Sequence, residues 1–531
     1  MSHIDVLIVG AGPTGLMLAL ELGAQNISFR MIDSCPVRSD KSRALVLHSR
    51  TLELLNRHGI VQKFIDRGKF NMAVRIFANQ KFVFENDFNI LAFDDTLYQN
   101  PLIISQAEIE SVLDEVLLLQ GVRIERPVTA EKISQDARGV TAILRHGDGT
   151  GEPLHCKYVV GCDGSRSIVR QSAGLKFEGA VYPQDFILAD VHMKWETREC
   201  LHIFMGAYGF MIVFPMKDNV WRLVCSRTQP LDPEAEPTLE DFQQMMDRLV
   251  AQPAELHDPV WISRFRLHHR IADNYRAARM FLAGDAAHIH SPAGGQGMNT
   301  GIHDAVNLGW KLASVIREEN DDSLLDSYNS ERRRVGQVLL QGTDKMFEFM
   351  STTNSLYLFV RNYVVPFIMP WAMSIPGRRA LAYRFISELG IRYRKSSIVG
   401  QASSWKGALK GGDRAPDGRL LSGDVEITVH SLLGARNHSL LLFSGISGVN
   451  SSAEDLKRAQ SDLLMDGDQS IPVHRIMTSS LKNTGIVDLE GQVHGLFGFT
   501  GTGFVLVRPD GHIAFIGPLT AMDELKAWMR K

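Results

Sequence analysis

Residues 5–15 read DVLIVGAGPTG, and this stretch decides the fold. Asp5 to Val9 (DVLIV) is a short apolar run of the kind a buried parallel strand needs. Gly10, Gly12 and Gly15 follow as G-x-G-x-x-G, with Pro13 and Thr14 inside the motif, and Leu16 to Leu22 continues as an apolar helix. A second strand, Phe29 to Ile32, ends in Asp33-Ser34, placing an acid 23 positions after Gly10. Strand, glycine turn, helix, strand and acid together predict a dinucleotide site. Gly10 permits the tight turn, Gly12 the approach of a pyrophosphate, and Gly15 close helix–strand packing. The helix N-terminus offers free N–H groups to phosphates, and Asp33 can accept from ribose hydroxyls. The motif by itself does not separate NAD from FAD.

Two more strands end in the same manner. Tyr158 to Cys162 runs into Asp163-Gly164, and Met280 to Ala283 into Gly284-Asp285. Gly294-Gly295-Gln296-Gly297 then opens an apolar helix. One nucleotide-binding domain assembled from separated segments is expected. The β-rich stretches Val74 to Phe84, Phe186 to Met193, Leu201 to Phe204, Phe210 to Pro215 and Val220 to Cys225 read as a second sheet. Leu239 to Leu249 reads as a helix, and about Ser323 to Tyr393 as helical and rich in aromatics. A glycine-rich break at Lys406 to Asp413 begins a third unit, with strands at Ser439 to Phe443 and Phe504 to Val507 and a helix after Thr520. The expected division is 1–72, 104–178 and 266–395 for the nucleotide domain with its helical connector, 73–103 and 179–265 for the middle sheet, and 396–531 for the C-terminal unit.

Composition is consistent with this. At about 150 residues per domain, 531 residues allow roughly three or four domains. Lys+Arg is 57 and Asp+Glu is 60, a net charge of -3, which leaves no electrostatic footprint for nucleic acid. The five cysteines form no CxxC pair and no metal-type spacing, and none lies after Cys225, so no metal site is expected and the C-terminal unit cannot perform thiol chemistry. A strand beginning at Asp5 leaves no room for a signal peptide, which reads as cytoplasmic. The uncharged segment Asn362 to Gly377 is shorter than a membrane span and is interrupted by Pro366 and Pro370. It reads as a buried helical connector, with no stable membrane insertion.

Asp163-Gly164-Ser165-Arg166-Ser167 resembles the DG motif of flavoprotein hydroxylases, and Gly284-Asp285-Ala286-Ala287-His288 with Pro292, Gly294, Gly297 and Asn299 resembles their GD motif. With the stretch Arg270 to Ala313, the chain resembles the class A flavoprotein aromatic hydroxylases. Within them it is most similar to the phenol hydroxylase and aromatic polyketide hydroxylase branch. The resemblance implies an α/β fold: a Rossmann-like FAD-binding domain with a parallel sheet, a middle β-sheet substrate domain, and a C-terminal thioredoxin-like α/β domain. It implies tightly bound FAD, NAD(P)H and O2 as co-substrates, and a flavin C4a-hydroperoxide that hydroxylates a phenolic or polyketide-like ring. It places Arg43, Ala44, Gln106, Asp163, Gly164, Gly284, Asp285, Pro292, Gly295, Gly297, Met298 and Asn299 at the cofactor, Pro292 also at the reacting edge, and it suggests a homodimer.

Phenol-type relatives carry an ionisable residue where Leu45 stands and a tyrosine where Val224 stands, so neither expected activating group is present. This points to a larger, already electron-rich aromatic. Arg222 is the middle-domain candidate for a role at flavin or substrate. Phe210, Ile212 and Phe214 share one strand face and are candidates to line an apolar pocket. Tyr208 and His48 complete the catalytic candidates. Epoxidation or Baeyer-Villiger-type insertion on the same scaffold, or a non-oxygenating FAD oxidoreductase, remain alternatives.

Overall fold

In the computed structural model, residues 4–39, 44–71, 73–88, 93–227, 236–291, 294–351, 354–375, 377–446, 450–465, 471–478 and 485–530 are described. The apolar run at the start forms the strand Ile4–Val9, and the glycine turn passes into the helix Pro13–Ala24. Proline at the first helical turn lacks only an N–H that has no helical partner anyway. Ile4–Val9 pairs in parallel with Phe29–Ile32 on one side and with Gly151–Gly161 on the other, and the last of these pairs in parallel with Met280–Leu282. Antiparallel strands Val128–Gln135 and Val140–His146 extend this seven-stranded sheet. The helix Gly297–Ile316 is buried along nearly its whole length and packs on Pro13–Ala24, its buried polar side chains each held by partners.

The second sheet has eight strands, including the long antiparallel pair Phe177–Lys194 and Glu255–Ala272 and the neighbouring strands Val220–Arg227, Gly209–Pro215 and Leu201–Gly206. Alternation gives it two faces. Ile187, Val191, Met211, Val213 and Leu223 pack under the helix Leu239–Leu249. Phe186, Leu188, Phe210 and Phe265 pack with Phe347 of the helix Arg334–Ser351. The stretch expected as one strand from Val74 is two strands, Ala73–Ala78 and Lys81–Asp87, joined by a turn at Asn79-Gln80. Both turn residues have positive φ, 49° and 63°, the geometry of a two-residue hairpin that Asn-Gly would have announced and Asn-Gln disguised.

The C-terminal sheet also has eight strands; Ser439–Phe443, Val473–Thr478 and Ile486–Asp488 run parallel, and Gly503–Val507 and Ile513–Pro518 add antiparallel on the other side. Its turn at Asp510 docks on the nucleotide domain through buried charges. Arg508 binds Glu331 at 2.7 and 2.9 Å, Lys311 binds Glu331 at 2.8 Å, and Asn307 donates to Asp510 at 3.0 Å. Buried ions cost several kcal/mol each unless fully paired, and here each carboxylate has more than one cationic or amide partner.

The connector helices differ from expectation. Phe367 is 83% and Trp371 67% exposed, and Val365–Ser374 buries no residue. The stretch is apolar without a polar face, which predicts burial all round, but it lies against the edge strand Lys81–Asp87 and leaves its outer side open. Among the described residues no single helix is long and apolar enough to cross a membrane.

Candidate active site

The parallel strands end in register. Val9 stands beside Ile32 and Gly161, and Gly161 beside Leu282. The turns at Gly10, Asp33, Asp163 and Gly284 therefore gather at one edge, where open α/β sheets bind ligands. Gly10 has φ +104°, and a Cβ there would lie 2.3 Å from the Cys162 carbonyl oxygen. A Cβ on Gly12 would meet nothing within 4 Å, so a groove lies open before the turn. The helix behind it has no side-chain cap, which leaves its first N–H groups facing that groove. Asp33 is held at its strand end by the Ala11 N–H at 2.7 Å and the Cys35 N–H at 2.8 Å, with Ser34 exposed beside it. Thr14 fills the space between Gly284 and Gly301: a Cβ on either glycine would come within 2.5 Å of its Oγ1.

Asp285 is exposed and has no hydrogen-bond partner among the described residues, yet burial of its surroundings raises its pKa. That combination describes a carboxylate on the floor of a crowded groove, open to a polyol hydroxyl. Asp163 behaves differently. Its Oδ2 accepts the Ile168 N–H at 2.7 Å and so starts the short helix Ile168–Ser172, while Oδ1 is buried without a partner among the described residues. Gly164 takes the turn with φ +72°.

The loop before Gly297–Ile316 is tied from behind. Asn299 donates to the carbonyls of Val46 at 2.8 Å and Gly295 at 2.9 Å, and accepts from the His48 N–H and Thr51 Oγ1. Gly294 and Gly295 have φ +84° and +66°, and Gln296 donates away from the groove to the Phe385 carbonyl. The first turn at Gly297 again has no side-chain cap, and Met298 packs half-buried on the core. Ala44 accepts from the Gln106 N–H, whose side chain donates to Glu110 at 2.8 Å. Sequence reasoning missed Asp304, which accepts from the Gly284 N–H, bonds His288 at 2.7 Å and binds Arg332 at 2.6 Å. Burial would raise its pKa, but Arg332 and His288 outweigh that and hold it low. Arg43 and Pro292 lie outside the described residues.

A cleft of about 650 Å³ opens between this domain and the second sheet. Leu45, Ile103 and Ile104 line one side; Met216, Val220, Asp190, Arg222 and Trp261 line the other, with Arg67, Glu108, Lys217 and Asp218 also contributing. Arg222 is 2% exposed and is clamped by Asp190, Nε to Oδ1 and Nη2 to Oδ2, each at 2.7 Å. Asp190 was not anticipated, although a lone acid inside the apolar run FILADV (186–191) is a usable signal.

Several expected residues sit elsewhere. Phe210, Ile212 and Val224 share the expected sheet face, but they pack in the aromatic cluster around Phe186 and Phe347 instead of lining the cleft. Phe214 packs on Leu45, Val46 and Ile103. Tyr208 is half-exposed in the turn between Leu201–Gly206 and Gly209–Pro215, with Arg248 of the opposite-face helix over its ring. It does not reach the cleft, because a tight hairpin directs its tip outward. His48 is buried behind the Gly294–Gly295 loop, donating from Nε2 to the Gly294 carbonyl at 2.7 Å. Burial lowers its pKa, so it supports the loop as a neutral donor.

The FAD binding domain family matches residues 3–343. The chain belongs to that family. It is 31% identical to 6-methylpretetramide 4-monooxygenase of Streptomyces rimosus, covering 98% of this chain and 92% of that protein. It is 32% identical to pentachlorophenol 4-monooxygenase of Sphingobium chlorophenolicum, covering 96% and 93%. Its fold matches an anhydrotetracycline hydroxylase structure from Streptomyces rimosus with TM-score 0.75 at 29% identity, covering 99% and 98% of the two chains. These are class A flavin hydroxylases, and FAD is the cofactor of this chain. The uncapped helix start, the space before Gly12 and Asp285, unpartnered among the described residues, fit that cofactor.

Proposed function

We propose that the protein is an FAD-dependent monooxygenase that uses NAD(P)H and O2 to hydroxylate a phenolic, polyketide-like aromatic. FAD supplies hydride acceptance from NAD(P)H and activation of O2 for transfer to the ring. The chain's own residues do the rest. The turn at Gly10–Gly15, Asp33 and Asp285 would hold the pyrophosphate and the sugar hydroxyls. The Gly294–Gly297 segment would offer N–H groups to the flavin ring, where they favour negative charge. The apolar wall of Leu45 and Ile103 would exclude water from the reacting ring. The observation that carries the reading is a cleft of polycyclic size, about 650 Å³, beside the nucleotide groove.

The division into 1–72, 104–178 and 266–395, 73–103 and 179–265, and 396–531 is supported in outline by the three large sheets, although the second sheet also takes Glu255–Ala272 and His288–Ile289 past residue 265. A thioredoxin-like C-terminal unit is supported by its three parallel strands and flanking antiparallel hairpin. A cytoplasmic homodimer would bury the open side of the connector helices. The test is to reduce the FAD-loaded protein anaerobically and then admit 18O2 with a panel of phenols and hydroxylated polycyclic aromatics. Heavy oxygen in a hydroxylated product is expected; consumption of NAD(P)H with peroxide release alone across the panel overturns the reading.

A further inference from the structure

We infer that the C-terminal unit positions the flavin site from behind: its turn at Asp510 holds the loop Gly294–Gly297 through one helix, so its docking and FAD binding are coupled. This rests on the placement of FAD in the nucleotide groove and goes beyond it by giving the third unit a task there.

The link is the helix Ser49–Arg57, which touches both parts. Toward the loop it offers its N-terminal turn. His48, at the N-cap, donates from Nε2 to the Gly294 carbonyl at 2.7 Å. Thr51 Oγ1 donates to Asn299 Oδ1 at 2.7 Å, and Asn299 Nδ2 donates in turn to the Gly295 carbonyl at 2.9 Å. Toward the C-terminal unit the helix offers Arg50 and Glu53, both buried. Arg50 Nη2 donates to the Asp510 carbonyl at 2.6 Å, and Arg414 Nη1 donates to Glu53 Oε1 at 3.0 Å. Arg50 and Glu53 also bind each other, at 2.8 Å. The same turn reaches the second helix that carries the loop: Asn307 of Gly297–Ile316 donates to Asp510 Oδ2 at 3.0 Å.

The joint is directional and closely filled. Gly511 has φ +75°, and a Cβ there would lie 2.9 Å from Arg50 Nη2, so the turn sits directly on the guanidinium. A void of about 10 Å³ lies between Arg50, His303, Asn307, Asp510 and His512, the size of a single water. Attachment alone would not need this arrangement, because an apolar seam joins two units with less desolvation. A buried arginine that must keep two partners fixes the register of the joint instead. Close-packed interiors transmit strain, and a shift of the turn passes from Arg50 to Thr51, the next residue of the helix. A loop held in place beforehand binds its ligand at lower ordering cost. Such coupling is reciprocal: whatever docking adds to FAD affinity, FAD adds to docking.

The experiment removes FAD from the full-length protein and returns it by titration, reading flavin fluorescence for affinity and amide hydrogen exchange for docking. In the unaltered protein FAD is expected to slow exchange of the Arg508 and Gly511 amides, which close the turn by donating to the His512 and Arg508 carbonyls. Arg50→Met leaves Glu53 paired with Arg414 and should weaken FAD binding about tenfold, within the usual range for coupled sites. Gly511→Ala attacks the joint from its other side and should do the same. Both variants should erase the effect of FAD on the turn. Gln25→Ala is the control. Gln25 follows the C-terminal end of Pro13–Ala24 and donates to the Ala435 and Arg436 carbonyls at 2.7 and 3.3 Å, so its loss loosens docking without touching Ser49–Arg57. FAD affinity should be unchanged in that variant. Undiminished FAD binding in folded Arg50→Met and Gly511→Ala, exchange in the turn that ignores FAD, or an equal loss in Gln25→Ala overturns the proposal. A titration in which the unaltered protein binds no FAD would overturn the placement of the cofactor, and the proposal with it.

Discussion

The nucleotide groove and the substrate cleft are built in opposite ways. The groove is made from turns at strand ends, where short local motifs set backbone shape and Gly10 and Gly284 answer to close contacts at one sheet edge. The cleft wall is made from side chains that meet only because strands distant in sequence pair. Asp190 and Arg222 are 32 positions apart and become neighbours through antiparallel register. The groove is also braced from beneath, by Asp304 and Asn299, whereas the cleft is braced chiefly by the one clamp on its wall. A site made of backbone tolerates side-chain change until its braces fail, and a site made of side chains changes with each of them.

The strongest attack on the groove is Asp304→Ala. It strands Arg332, whose guanidinium is fully buried, and frees His288 and the Gly284 N–H at once. A loss of about 3–5 kcal/mol in unfolding free energy is expected by denaturant titration, as for other buried pairs broken on one side. A loss below about 1 kcal/mol would mean that the groove does not depend on this brace. Asp285→Ala leaves the fold intact and should weaken FAD binding by about tenfold to a hundredfold, the worth of hydrogen bonds to a charged group. Full retention of flavin through gel filtration of that variant would contradict the groove as drawn.

The sheet offers a pH test. Burial lowers the His202 pKa from 6.5 to about 4, behind Phe77 and Phe204 on the face away from the cleft. The unfolded chain then binds more protons than the folded one between those values, so stability is complete above pH 6.5 and is lost as pH falls toward 4. His202→Gln should flatten that slope in denaturation curves collected across the interval. The smallest effect is expected from Tyr208→Ala, within about 0.5 kcal/mol in stability and with kcat unchanged. A fall in kcat would return Tyr208 to the cleft and contradict its outward turn.

Legibility followed the same divide. Gly10, Gly12, Asp33 and Asp285 could be read because a tight turn and a strand-end acid are local demands on residue type. Asp163 was legible as a motif, but its carboxylate also starts a helix, which needed the hydrogen bonds to be seen. Phe210 and Ile212 alternate as expected, and alternation gives a face without saying what covers it; Phe347, from a helix well over a hundred positions later, takes that space. The connector at Val365–Ser374 misled for the related reason that apolar composition reports a preference for burial and not the presence of something to bury against.

What the sequence determined by itself was the chain of backbone events at each strand end, and with it the nucleotide fold and the FAD family. Those events depend on φ angles, on the absence of a Cβ and on period-two alternation, all properties of neighbouring residues. Tertiary structure alone decided which acid meets which arginine, which face stays open and which helix remains uncovered. Those outcomes depend on register and on packing between segments far apart in the chain, and no local residue preference encodes either.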